Sequence, residues 1–105
     1  MSQPSDDPVP YRVVYSGQVR DGIKALVARA KTAGLGQETL RAVKQIDRLL
    51  HLYPQFGEPL RDLKAIGHTE MIGTVQPLFV RYVIDEARRT VFVVHPIEPL
   101  PHVGF

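Results

Sequence analysis

The sequence contains no cysteine. That excludes disulfides, thiolate metal ligands and a cysteine nucleophile, and it suits a reducing compartment. No apolar run approaches the roughly 18–20 residues that span a bilayer. The polar, acidic start from Met1 to Pro8 is unlike a secretory signal, so the expected location is the cytoplasm, with no membrane partner. Charge of either sign is not in large excess. A net charge of +2 with a pI near 9.2 is far from polybasic, so contact with nucleic acid would have to rest on local clusters of Lys and Arg. Internal repeats and low-complexity tracts are also missing. What remains is an ordinary globular composition: 105 residues, 44% of them hydrophobic, enough for one domain with a thin margin of stability.

Residues 1–9 carry two prolines and no apolar period, and read as a flexible leader. Tyr11 to Tyr15 is rich in β-branched and aromatic residues and stops at Ser16-Gly17, which predicts a strand. The period then changes. Val19, Ile23, Leu26, Val27 and Ala30 share one helical face, with Ser16 as N-cap and Gly34 as the stop. Leu40, Val43, Ile46, Leu50 and Tyr53 predict a second helix that Pro54 ends. The short link Gly34-Leu35-Gly36 forces the two into an antiparallel hairpin.

Pro54 to Pro59 reads as a turn-rich linker, and Leu60 to Ile66 has no clear period. Three strands are predicted after it. His68 to Val75 bends at Gly73, and Leu78 to Asp85 and Thr90 to His95 flank the four-residue loop Glu86 to Arg89. Pairing Ile84 with Val91 sets Val80 opposite His95. The proline-bearing tail from Pro96 should be extended or irregular. The expected fold is α+β: an N-terminal strand, an antiparallel helical hairpin, then a three-stranded antiparallel meander, with one domain over 10–98 and a Pro-rich tail over 99–105.

This order resembles the RelE/ParE superfamily of type II toxins. The passage Leu50-His51-Leu52-Tyr53-Pro54 followed by Phe56-Gly57-Glu58-Pro59-Leu60 is similar to the family's link between helix and sheet. Val80 to Asp85 resembles its R-x-x-Y-x-[VI]-D strand, and Thr90 to His95 its last long strand. The resemblance covers residues 11–98. It implies a toxin-like component of a toxin–antitoxin module, neutralised by a protein antitoxin. Two alternatives stand beside it: a ribosome-dependent mRNA endoribonuclease with a rearranged site, and a non-toxic interaction module that keeps only the fold. Members that cut mRNA carry an Arg three residues before the strand Tyr. Here that position is Phe79, or Leu78 in the neighbouring alignment. Gyrase-inhibitor members of the ParE type need no catalytic set.

RNA cleavage needs a group to activate the 2′-hydroxyl, a cation for the phosphorane-like charge and an acid for the leaving oxygen. The candidates are Arg61, Lys64, His68, Arg81 and His95. The predicted register points Arg81 and His95 to opposite faces. Glu58, Asp62 and Glu70 form no fixed carboxylate pair. Four scattered histidines, His51 and His102 among them, make no metal site, and no cofactor is expected. The helices carry Arg20, Lys24, Arg29, Lys31, Arg41, Lys44 and Arg48, a surface that could meet an anion or simply face water.

The last hairpin is apolar on both faces. Leu78, Val80, Tyr82, Ile84, Val91 and Val93 form one, and Phe79, Val83, Phe92 and Val94, with Arg81 among them, form the other. Helices on one side cover only one face. The second predicts a protein-binding surface, covered by the tail, by a second copy in a homodimer, or by an antitoxin segment.

Overall fold

The computed structural model describes residues 9–63 and 67–105. The leader through Pro8 and the catalytic candidate Lys64 lie outside the described residues. The order is β1 (Arg12–Tyr15), α1 (Gly17–Thr32), α2 (Gly36–Leu52), a 3₁₀ turn (Pro54–Phe56), β2 (Glu58–Leu63), β3 (His68–Val75), β4 (Leu78–Asp85), β5 (Thr90–Val93) and the two-residue β6 (Glu98–Pro99).

Local chemistry sets most boundaries. The Ser16 side chain accepts a hydrogen bond from the Val19 N–H at 3.2 Å and caps α1, a contact worth about 1 kcal/mol. Gly34 takes a positive φ of 78° after α1, which reverses the chain within three residues. Both helices lie on one face of the sheet. Val19, Leu26 and Ala30 of α1 and Ala42, Ile46 and Leu50 of α2 are buried, most of them packed with Met71, Leu78, Val80, Tyr82, Ile84, Val91 and Val93 of the strands.

The buried stripe of α2 differs from the predicted one. Leu40 and Tyr53 are 43% and 55% exposed, while Thr39 and Ala42 are buried. The contact face is rotated by about one residue, onto small side chains that let the helix approach closely. One consequence is that the Thr39 hydroxyl is buried with no hydrogen-bond partner among the described residues.

The sheet also departs from a three-stranded antiparallel meander. The strand order is β1-β5-β4-β3-β2, with β6 pairing β4. β2 to β5 form a four-stranded antiparallel meander, and β1 lies parallel to β5 at the far edge. The sheet is therefore mixed. Consecutive strands joined by turns announce their own pairing, whereas nothing in Tyr11 to Tyr15 indicates a partner some 80 residues away. β2 escaped prediction because of Pro59. A proline is tolerated there because β2 is the outer strand, and a register shift between Pro59 and Arg61 accommodates it.

The register of β4 against β5, Ile84 with Val91 and Val83 with Phe92, is the predicted one. It does not extend to Val80 and His95. The next pairing is Leu78 with Pro99 in β6, a shift of two residues. Val94, His95 and Pro96 bulge into solvent, and Ile97 turns back into the core. The tail is thus more ordered than expected: Ile97 is buried and Phe105 packs against the same core.

Tyr82 joins the layers. Its hydroxyl donates to the Pro54 carbonyl at 2.5 Å and accepts from the Gly57 N–H at 3.2 Å, and its ring stacks on Phe56 at 5.7 Å. Burial pushes the phenol up to about 12. An unfolded tyrosine ionises near 10, so between these values the unfolded state has released a proton that the folded state keeps, and stability falls as pH rises. Tyr82→Phe should lower the melting temperature at neutral pH through the lost hydrogen bonds, at a cost of about 1–2 kcal/mol. It should also make the alkaline decline between pH 10 and 12 shallower, as thermal melts across that window would read. A residual slope is expected from Tyr15, which burial and its bond to Asp47 shift in the same direction.

Candidate functional site

The alternation of β4 sorts its side chains cleanly. Leu78, Val80, Tyr82 and Ile84 are at most 3% exposed and face the helices. Phe79, Arg81 and Val83 are half-buried on the opposite face. Register aligns the positions of this strand with those of its neighbours in rows across the sheet. Leu63, His68, Asp85, Thr90 and Arg12 make one row, and Arg61, Glu70, Val83, Phe92 and Val14 the next. Glu58, Ile72 and Arg81 follow, then Thr74 and Phe79 beside Glu98.

Four of the five expected partner-binding residues, Phe79, Arg81, Val83 and Phe92, therefore sit on one surface, while Val94 lies outside the ladder. Phe79, Arg81, Val83 and Phe92 are half-buried, and Val94, at the start of the bulge, is 54% exposed. The tail sends Ile97 and Phe105 into the helix-packed core, so these two apolar groups belong to the other side of the sheet.

The catalytic candidates are only partly assembled. In register, Arg61, His68 and Arg81 fall in three different rows. His95 is exposed in the bulge, outside the ladder, so the predicted cross-strand placement opposite Val80 does not arise. His68 and Arg81 are separated by the Glu70–Val83 row. Asp85, which pairs with His68, lies four residues from Arg81, about 13 Å along the strand. Two rows apart, His68 and Arg81 do not stand side by side as a base and a cation on one phosphodiester would.

His68 is instead committed to a group that sequence reasoning passed over. Its Nε2 lies 3.3 Å from an Asp85 carboxylate oxygen, and its ring is tilted against Phe92 at 6.5 Å. Asp85 is buried and also accepts the Arg88 N–H at 3.2 Å, with the Arg88 guanidinium at 3.5 Å. The signal was present as Asp85-Glu86-Ala87-Arg88, an acid placed to bond the backbone of its own turn. A second network closes the same end of the sheet. The Tyr11 hydroxyl donates to Glu86 at 2.7 Å, Gln55 donates to both, and the Arg89 guanidinium lies 4.2 Å above the Tyr11 ring. Among the described residues no three His, Asp or Glu side chains could hold a metal ion. No helix among them is long and apolar enough to cross a membrane.

No protein-family model matches the chain, and no curated protein matches it. Among solved structures it is similar to a chain of the toxin–antitoxin complex RelBE2 from Mycobacterium tuberculosis. The TM-score is 0.54 at 21% identity, over 91% of this chain and 98% of that one. The fold is RelE-like. The two positions that the sequence reading set against the Arg of mRNA-cutting toxins are now placed. Leu78 is fully buried in the core, and Phe79 lies on the open face opposite Thr74. Neither offers a positive charge.

The Asp85 cluster generates a test of what holds the last hairpin. Asp85→Ala removes the acceptor of the Arg88 N–H and should cost about 1–2 kcal/mol, a fall of several degrees in melting temperature. Arg88→Ala should change it little, because that side chain is 78% exposed. Equal losses would show that the guanidinium, rather than the backbone bond, secures the loop.

Proposed function

We propose that this protein is a toxin-like component of a type II toxin–antitoxin module, one that acts by binding a cellular target and is neutralised by a protein antitoxin seated on the open sheet face. The observation that carries the reading is the surface of Phe79, Val83 and Phe92 left half-exposed, with Val94 more than half-exposed, on a RelE-like fold. Completing the burial of each such side chain is worth a share of the roughly 1.5–3 kcal/mol that full burial gains. Arg81 amid these apolar groups supplies a charge that a partner carboxylate would pair. The similar RelBE2 chain comes from a complex of a toxin with its antitoxin, which supports a protein partner for this chain.

Val83→Asp tests the surface. It places a charge on the solvent-facing side of β4, so the melting temperature should move by only a few degrees. Expressed in cells with the small protein encoded by the neighbouring reading frame, wild type should co-purify with that protein, and the variant should lose it at least tenfold. A variant that still co-purifies would place the antitoxin elsewhere.

The dispersed candidates also favour binding over cleavage. In a translation assay read by primer extension, wild type should leave ribosome-bound mRNA uncut. Efficient cutting that Arg81→Ala or His68→Ala abolishes would establish the endoribonuclease alternative instead.

A further inference from the structure

We infer that the solvent face of the helical hairpin binds the sugar–phosphate backbone of a nucleic-acid duplex, at a surface separate from the apolar sheet face. The chain as a whole has a net charge of +2, but that charge is unevenly distributed. The two helices hold seven Lys and Arg against three Asp and Glu, a net of +4, so the rest of the chain is acidic by two charges. One of the three helix acids is already engaged: Asp47 accepts the Tyr15 hydroxyl at 2.6 Å and lies 3.6 Å from His51.

The cations are ordered along each helix. Arg20, Lys24 and Lys31 of α1 follow i, i+4, i+11, and Arg41, Lys44 and Arg48 of α2 follow i, i+3, i+7, so each set shares one side of its helix. All six are exposed, and none enters a salt bridge among the described residues. Lys31 lines a shallow hollow with Gln37, Glu38 and Leu40 at the loop end of the hairpin, and Gln37 and Leu40 also border Arg41 and Lys44 of the α2 set. The exposed amides of Gln37 and Gln45 add neutral donors beside the α2 set.

Two features select the occupant. Neither helix contains Phe, Tyr or Trp, so the cationic face has no large ring on which unpaired bases could stack. Backbone contact to a duplex needs none. Docking of a protein helix, the competing use of a helical face, calls for several apolar anchors at i, i+3 or i+4, and i+7. Leu40 is the one large hydrophobic residue exposed on this hairpin. Phosphate pairing with cations that lack internal partners is the chemistry these side chains fit.

The test is fluorescence anisotropy of the full chain with a short RNA duplex and with a DNA duplex of the same sequence, across a salt series. Wild type should bind, and log K should fall linearly with log salt by about 0.9 per phosphate contact on DNA. Arg41→Gln with Lys44→Gln and Arg48→Gln keeps helix propensity, and circular dichroism would confirm the fold. This variant should lose about tenfold or more in affinity at low salt and flatten the salt slope by about two to three contacts. The matching triple change at Arg20, Lys24 and Lys31 should act in the same direction. Val83→Asp should leave duplex binding intact, which separates this site from the antitoxin reading. The relative affinities of the two duplexes would say whether RNA or DNA is preferred. No binding by wild type at low salt, unaltered binding by both triple variants, or tighter binding of poly-glutamate than of either duplex would overturn the proposal.

Discussion

The layers of this fold depend on one buried phenol. Tyr82 sits at the centre of β4, yet its hydroxyl is spent on the segment that leaves α2, at Pro54 and Gly57. The ring of Phe56 lies between Tyr82 and the backbone of β3. Two glycines make this stack feasible. A Cβ on Gly57 would stand 2.6 Å from the Tyr82 oxygen, and one on Gly73 would stand 2.4 Å from the Phe56 ring. Neither glycine is needed for an unusual φ; both are needed for space. Glycine on β3 is therefore the counterpart of an aromatic on the preceding turn, and together they fix where the helices release the chain into the sheet.

Once Tyr82 points to the helices, strict alternation decides the rest of β4. Leu78, Val80 and Ile84 must follow it inward, and Phe79, Arg81, Val83 and Asp85 must point away. The register with β3 and β5 then carries the same division across the sheet. Asp85 shows how an inconvenient consequence is managed. A carboxylate buried at the end of a strand is costly unless bonded, and the turn that follows supplies a backbone N–H while β3 supplies His68. His68 was attractive as a catalytic base when read alone. In the fold it completes a structural contact that secures the hairpin.

How far the sequence could be read follows from the same distinction between local and distant constraints. The Ser16 cap, the Gly34 reversal, the loop Glu86 to Arg89 and the register of Ile84 with Val91 are set by residues close in the chain, and the structure has each of them. The parallel pairing of β1 with β5 is set by no neighbour and was not readable. Helix period alone located α2 but not its buried side, because Thr39 and Ala42 are weakly apolar and Leu40 and Tyr53 strongly so. Packing against the sheet outweighed hydrophobicity there. For the open face, alternation was enough to place Phe79, Val83 and Phe92 together. The dispersal of Arg61, His68 and Arg81 over three rows needed the strand order, and β2 was the strand that the sequence hid.

The two surfaces that remain differ in kind because they are made differently. The sheet face is apolar because β4 and β5 are the central strands, and their propensity for large side chains holds on both sides of the pleat. The hairpin face is cationic because helix surfaces accept long charged residues at no cost in propensity, and Asp21, Glu38 and Asp47 offset only three of the seven cations. Burial of Val83 and Phe92 by a partner would be insensitive to salt, whereas any contact to Arg41, Lys44 and Arg48 would weaken steeply with it. The helices cover one side of the sheet, and Phe79, Val83 and Phe92 lie on the other. A partner on the sheet face would meet one central cation, Arg81, and a duplex on the hairpin several, so the second contact would be the more sensitive to salt.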